Sequence, residues 1–202
     1  MLERRPLLDD PNGPSVHCEK GVGRKSSYHF DSAYRELVSL PSGLDVIIRA
    51  VHPDDKQLIA EGMARLSPAP KYARFQTDKA SLSGSELAYL TEFDGHNHYA
   101  IGVVRPYPGG VEVGIGVARF VRLKNNPEVA EPAVAVIDEY QGCGLGTALL
   151  RRLVDAARER GIKRFRCEFL ADNHRVRTIL DEFKDHELVN REQEEVTMEF
   201  PL

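Results

Sequence analysis

A glycine-rich segment holds the residues of this sequence whose types and spacing could do chemistry. Gly142, Gly144 and Gly146 alternate within the run Gln141–Thr147, which joins an apolar stretch at 134–137 to a helical pattern. Glycine permits positive φ angles and a close approach of the backbone to a ligand. The first amides of a helix point outward beside its positive end, where phosphate groups bind. The segment therefore predicts a site for a phosphate-bearing ligand.

Two common phosphate-binding loops fit this segment poorly. A P-loop places Lys and then Ser or Thr directly after its last glycine, whereas Thr147 and Ala148 follow Gly146 here. A dinucleotide-binding loop needs the spacing Gly-x-Gly-x-x-Gly after the first strand of a parallel sheet. The glycines here lie two residues apart, and they come late in the chain, after strand patterns of the antiparallel kind. Nucleoside triphosphates and dinucleotides are therefore weaker candidates for the ligand.

The elements that must position this segment follow from the periodicity of apolar residues. Antiparallel strand patterns come first, and a strand–helix–strand–helix–strand tail follows. This order predicts an α/β fold with a mixed (α+β) sheet and a parallel crossover through the helix after the glycines. Strands are predicted at 37–40, 44–49, 99–104, 111–121, 130–137, 165–169 and 196–200, and helices at 52–66, 87–93, 146–160 and from Asn173 onward. Prolines and glycines interrupt residues 1–33, so we expect an irregular N-terminal arm before a domain at 34–202.

Composition narrows the class of protein. The chain has 202 residues, of which 42% are hydrophobic and 29% charged, and this suits one folded domain rather than a disordered chain. The net charge of −4 argues against a nucleic-acid partner, and no apolar run approaches the roughly 20 residues of a membrane span. Cys18, Cys143 and Cys167 have neither disulfide-framework nor zinc spacing. We therefore expect a cytoplasmic protein with no membrane partner and no metal.

Gln141, Gly144 and Gly146 fill the pattern Gln-x-x-Gly-x-Gly, which resembles the acetyl-CoA signature of the GNAT acyltransferase superfamily. The order of elements from about Leu44 to Phe200 resembles the GNAT acyl-CoA N-acyltransferase fold as well. The resemblance implies that acetyl-CoA is the co-substrate and that the backbone of Val134, Ala135 and Val136 binds its pantetheine arm. By the same resemblance Asn173 faces the cofactor near the thioester, and the pyrophosphate is wrapped by Gln141, Gly142, Cys143, Gly144, Leu145, Gly146 and Thr147.

A narrower resemblance is to the acetyltransferase domain of bacterial Pat-type protein lysine acetyltransferases. The residues that carry it are Ala64–Pro68, Tyr72–Phe75, Leu87–Asp94, the pair Ala130–Glu131, and Asp172–Asn173 with Arg177–Ile179. The resemblance implies that Glu131 is the general base and that the acceptor is a protein lysine. Such enzymes often carry regulatory domains, and we expect none within these 202 residues.

Acetyl transfer requires few catalytic groups from the protein. A lysine amine, with a pKa of ~10.4, attacks a thioester only after losing a proton, and a carboxylate can take that proton directly or through water. Backbone amides of a strand can polarise the thioester carbonyl. Many GNAT enzymes add a Tyr as general acid for the leaving thiolate, and Leu180 stands at that position here. Either the acid is dispensable or activity is impaired.

Several alternatives stay open at this point. A small-molecule amine is a second candidate acceptor, and a non-catalytic acyl-CoA-binding sensor or interaction domain is a candidate of another class. Oligomeric state is open as well, with a homodimer as one alternative. Asp94, His96 and His98 have alternating spacing that zinc could use, but we expect a solvated turn. Cys143 lies beside a helix start, and we expect a small residue that fits rather than a nucleophile.

Overall fold

The computed structural model describes residues 28–66, 82–170, 187–192 and 195–202. Within these residues eight strands form one sheet, and three α-helices accompany it. In chain order they are β1 (Arg35–Ser39), β2 (Asp45–Ala50), α1 (Lys56–Ala64), α2 (Gly84–Thr91), β3 (His98–Pro106), β4 (Glu112–Leu123), β5 (Asn126–Val136), α3 (Leu145–Glu159), β6 (Arg164–Leu170), β7 (Glu187–Glu192) and β8 (Glu195–Pro201). The order across the sheet is β1-β2-β3-β4-β5-β6-β8-β7.

The pairing of the strands confirms the predicted fold class. Strands β1 to β5 pair with their neighbours in antiparallel fashion, and β5 then pairs with β6 in parallel after the crossover through α3. Strands β6, β8 and β7 complete the sheet in antiparallel pairs. The sequence did not predict β7, because its residues lack alternation of apolar and polar types. The helix predicted from Asn173 lies outside the described residues.

Helix α3 packs on one face of the sheet and contributes much of the core. Its buried residues recur with helical spacing and include Leu149, Leu150, Leu153, Val154 and Ala157, each at most 4% exposed. Four aromatic rings continue this core across the sheet, with successive centroids 6.1, 6.1 and 5.8 Å apart in the order Tyr99, Phe120, Phe165 and Phe200. Strand β5 contributes the small Ala130 between β4 and β6, where it pairs with Phe165. The core therefore holds β5 and β6 together at one end.

Strands β5 and β6 separate beyond that end. Their paired positions are Val129 with Arg164 and Ala130 with Phe165 only, although β5 continues to Val136. Pro132 lies two residues after the last pair and has no N–H to donate to a neighbouring strand. No pairing is described between residues 131–136 of β5 and residues 166–170 of β6, and we call the region between them the β5–β6 cleft.

The C-terminal end of α3 is bonded to the segment before β1. Arg160 is 5% exposed and donates to the carbonyls of Phe30 and Gly95, both at 2.7 Å. Its guanidinium lies 4.1 Å from the ring centre of Tyr99 and 4.5 Å from that of Tyr28. These contacts satisfy a buried charge and hold residues 28–34 on the domain. Among the described residues no helix is long and apolar enough to cross a membrane.

Candidate acetyl-CoA site

The glycine-rich segment forms the turn between β5 and α3. Gly144 has a φ of 86° and stands immediately before Leu145, the first residue of α3. That positive φ favours glycine, because a Cβ would crowd the following carbonyl. No side chain caps this end of the helix, and the first amides of a helix have no acceptor within it. The turn therefore presents backbone donors of the kind that bind a pyrophosphate.

Gln141 and Cys143 hold the turn in place. The side-chain amide nitrogen of Gln141 (Nε2) donates to the carbonyl of Val136 at 3.0 Å and to the Asp138 carboxylate at 2.9 Å. The thiol of Cys143 donates to the carbonyl of Tyr140 at 2.9 Å. Both side chains thus connect the end of β5 to the turn before α3, so they have a structural role.

The direction of the peptide groups along β5 follows from three hydrogen bonds. The carbonyl of Glu128 accepts from Lys163, next to β6, and that of Val136 accepts from Gln141. The N–H of Ile137 donates instead to Ile115, beside β4. Peptide groups alternate in direction along a strand. Val134 and Val136 therefore direct their peptide groups to the β5–β6 cleft, whereas Ala135 directs its own to β4.

Glu131 lies where the two strands begin to separate. It is the residue after Ala130, which makes the last pair with β6, and its side chain is exposed. Alternation along β5 places this side chain on the same face of the sheet as Ala133 and Ala135. Those two residues line a cavity together with α1. The carboxylate thus lies beside the cleft, on the face that α1 covers.

The cavity between α1 and the sheet has a volume of about 80 Å³. Its wall is mostly apolar and includes Leu58, Ile59, Met63, Leu66, Leu90, Val103, Val104, Val117, Ala133, Ala135 and Ile137. Gly114 lets α1 approach β4 closely, since a Cβ there would lie 3.3 Å from the carbonyl oxygen of Leu58. A cavity of this size exceeds the 10–15 Å³ or so of probe-occupied volume that one water needs, so it can hold a small chemical group.

Two arginines line this cavity, and their surroundings differ. Arg49 donates two hydrogen bonds to the Asp55 carboxylate at 2.7 and 2.8 Å and lies 3.3 Å from the Glu112 carboxylate. Burial opposes the ionised form of Asp55, but hydrogen bonds from Arg49 and from the backbone of His52 hold the pKa of its carboxyl below the usual range. Among the described residues Arg119 has no carboxylate neighbour of this kind, and burial lowers the pKa of its guanidinium.

Asp94, His96 and His98 belong to a turn. The Asp94 carboxylate accepts the backbone N–H groups of His96, Asn97 and His98 at 2.7–3.0 Å. Although burial opposes ionisation, these bonds lower the pKa of Asp94 to about 2. Within the described ranges no group of three or more His, Cys, Asp or Glu side chains is placed to hold a metal ion.

Asn173, which the resemblance places near the thioester, and Leu180, which stands at the position of the usual Tyr, lie outside the described residues. Sequence reasoning missed two residues that shape the site, Pro132 and Arg119. A proline inside a strand pattern was a signal for the end of strand pairing. Arg119 interrupts the apolar alternation of Val117 and Val121, and a charge at such a position was a signal as well.

Comparisons with known proteins agree with this geometry. The model of the acetyltransferase (GNAT) family matches residues 73–178, which is more than half of the chain. The chain is 34% identical to the acetyltransferase Pat of Mycolicibacterium smegmatis over 144 residues, which are 71% of this chain and 42% of that protein. It is 30% identical to the acetyltransferase PA5475 of Pseudomonas aeruginosa over 160 residues, 79% of this chain and 85% of that one.

The fold is likewise similar to a solved structure. The GNAT domain of S. lividans PAT superposes with a TM-score of 0.73 at 27% identity, covering 83% of this chain and 97% of that one. This chain spans less than half the length of Pat from M. smegmatis. Family model, relatives and architecture agree, and the chain belongs to the acetyltransferase (GNAT) family, the class of acetyl-CoA-dependent N-acetyltransferases.

Proposed function

We propose that this domain transfers an acetyl group from acetyl-CoA to the ε-amine of a protein lysine, with Glu131 as the general base. The observation that carries the proposal is an exposed carboxylate at the start of the β5–β6 cleft, one residue beyond the last pair of β5 with β6. The resemblance of the sequence to Pat-type protein lysine acetyltransferases supports a protein acceptor. An acceptor presented from outside the domain can reach an exposed side chain, which favours a lysine over an amine that must be enclosed.

The donor would bind along β5 and the turn that follows it. The backbone donors of Gln141–Thr147 and the positive end of α3 suit the pyrophosphate. The pantetheine arm would lie in the cleft along the backbone of Val134 and Val136, and the carbonyl of Val136 already accepts from the Gln141 side chain. Ala135 would contribute packing rather than a backbone hydrogen bond. Asn173 completes the proposed set near the thioester.

Glu131 would act on the acceptor amine. At neutral pH only about one lysine in 2,500 is uncharged, given a pKa of ~10.4. The carboxylate takes the proton directly or through a water, and the amine nitrogen then attacks the thioester carbonyl carbon. The oxyanion that forms is stabilised by backbone N–H donors. The C–S bond breaks, and CoA leaves as a thiolate that takes up a proton from solvent.

The test combines acceptor identification with one matched pair of variants. Purified chain is incubated with acetyl-CoA and either lysine-bearing proteins or small amines, with thiol release and mass spectrometry as readouts. Glu131→Gln should lower turnover by ~10²–10⁴ at neutral pH, the usual worth of general-base catalysis, with acetyl-CoA affinity little changed. Glu128→Gln makes the same change at an exposed residue of the same strand and should behave like the wild type.

Three outcomes would contradict parts of the proposal. Normal turnover by Glu131→Gln would remove this carboxylate from the mechanism. Transfer to small amines but to no protein would favour the small-molecule alternative. Acetyl-CoA binding without any turnover would favour the sensor, for which Leu180 in place of the usual Tyr is the motive.

A further inference from the structure

Arg119 is a partly buried cation for which the described part of the chain supplies no counter-charge. It lies in the middle of β4, opposite Ala133 of β5, and lines the cavity. Its Nη1 atom is buried without a hydrogen-bond partner. The contact that it does make is with an aromatic ring, since its Cζ lies 5.1 Å from the ring centre of Tyr89.

The neighbours of Arg119 do not offset its charge. His98 packs beside the Tyr89 ring, and its Nε2 atom is also buried without a partner. Burial, helped by the charge of Arg119, lowers the pKa of His98 to about 4, so this imidazole is neutral at pH 7. Arg49 in the same cavity shows the opposite arrangement, because two carboxylates neutralise it. A buried charge without a partner is costly, and such groups often mark binding sites.

The position of the cavity relative to β5 indicates which part of a substrate would enter it. Ala133 and Ala135 line the cavity and flank Val134, whose peptide group faces the cleft proposed for the pantetheine arm. On the opposite face of the sheet Leu149 and Leu153 are fully buried in the core. A group attached to the thioester therefore finds space on the α1 side, towards Arg119.

We propose that this cavity receives the acyl chain of a donor that ends in a carboxylate, and that the carboxylate pairs with Arg119. The assignment rests on the proposed binding of an acyl-CoA along β5. It predicts that CoA thioesters of short dicarboxylic acids, with one or two methylene groups between the thioester carbonyl carbon and the carboxylate, bind better than acetyl-CoA. Acetyl-CoA carries no carboxylate that could pair with the guanidinium.

The group-transfer step is the same as with acetyl-CoA. The amine nitrogen bonds to the thioester carbonyl carbon, the C–S bond breaks, and the amine proton passes to Glu131. The distal carboxylate is unchanged and remains paired with Arg119 through the step. The product is an amide that ends in a carboxylate, so the charge of a modified lysine changes from +1 to −1.

The test compares donors of equal length with and without the charge. Affinities for acetyl-CoA, butyryl-CoA, malonyl-CoA and succinyl-CoA are measured by calorimetry on the full chain. Succinyl-CoA should bind ~10–100-fold more tightly than butyryl-CoA, as expected for one charge-assisted hydrogen bond. In Arg119→Met this ratio should fall to about one while acetyl-CoA affinity changes by less than about twofold. Arg158→Met removes an exposed arginine of α3 and should keep the wild-type ratio.

Each remaining outcome overturns the assignment. Equal binding of succinyl-CoA and butyryl-CoA by the wild type would refute it, and this comparison decides the matter even if Arg119→Met does not fold. An unchanged ratio of succinyl-CoA to butyryl-CoA affinity in Arg119→Met would also refute it. If the chain instead prefers acceptor amines that carry a carboxylate, and Arg119→Met loses this preference, then Arg119 binds the acceptor and not the donor. Binding of acetyl-CoA without any donor preference would refute this inference alone, whereas binding of no acyl-CoA would refute the proposed function too.

Discussion

Gly144→Glu tests whether the turn before α3 holds the pyrophosphate of CoA. Gly144 has a φ of 86° and directly precedes α3. A Cβ at this position would lie 3.5 Å from Cδ of Pro41, an ordinary van der Waals distance, so the side chain itself has room. Two effects should follow from the substitution, a backbone strain that lowers stability and a negative charge that repels phosphate.

The two effects differ in size and in what they depend on. A non-glycine residue in the left-handed region costs roughly 1–2 kcal/mol, which lowers the melting temperature of a domain of this size by about 2–8 °C. A carboxylate about 5 Å from one phosphate charge adds a repulsion of ~3 kcal/mol at an effective dielectric constant of ~20. That repulsion weakens CoA binding by more than about 100-fold.

The assay is the shift of the melting temperature with CoA. At a concentration of about 100 times Kd, CoA adds ~2.7 kcal/mol to the wild type, or about 5–11 °C. Gly144→Glu should lose this shift. Gly161→Glu is the matched control, because Gly161 follows α3 at its other end with a φ of 74° and open space around it. The control should lose similar stability without ligand and keep the full CoA shift. A full shift in Gly144→Glu would place the pyrophosphate elsewhere.

Two further predictions concern stability. His98 has a pKa of about 4 in the folded chain against an ordinary 6.5, so the unfolded chain binds the extra proton between these values. The free energy of unfolding should therefore be highest above pH 6.5 and fall by at most ~3 kcal/mol as the pH drops to about 4. Urea unfolding of His98→Phe should show a smaller fall over this pH range. An unchanged pH dependence in this variant would assign the fall to other groups. Arg160→Met should cost about 2–4 kcal/mol, because it leaves the carbonyls of Phe30 and Gly95 without donors, and should speed amide exchange in residues 28–34. Arg158→Met, which breaks one exposed ion pair, should change stability by less than about 0.5 kcal/mol.

The structure also changes the interpretation of individual residues near the turn. Gln141 is predicted to contact the pyrophosphate, and this contact stays a prediction; its side-chain amide nitrogen bonds to the carbonyl of Val136 and to the Asp138 carboxylate. The three residues expected to bind pantetheine alternate in direction, so Ala135 faces β4 and the cavity instead of the cleft. Such details depend on which side of a strand each peptide group takes, and a list of residue types does not contain that information.

Periodic and local features were predictable from the sequence alone. The apolar spacing of α3, its glycine-rich start and the alternation in β3, β4 and β6 all act over a few residues, so pattern and propensity suffice. The capping box at Ser83 and Glu86 is equally local, and it starts α2 at Gly84, three residues before the first apolar residue of the pattern. Strand β7 escaped prediction because its residues carry no such pattern, and its pairing with β8 decides its conformation.

The sequence by itself determined the fold class, the family and the glycine-rich turn before α3, because each depends on residues close together in the chain. Only the tertiary structure decided where β5 leaves β6, which face Glu131 occupies, and that Arg119 is partly buried with no counter-charge from the residues that the structure describes. These three features depend on strand order, on register and on the packing of α1 and α2 against the sheet. They join residues far apart in the chain, and the free energy that sets them comes from burial and pairing across the whole domain.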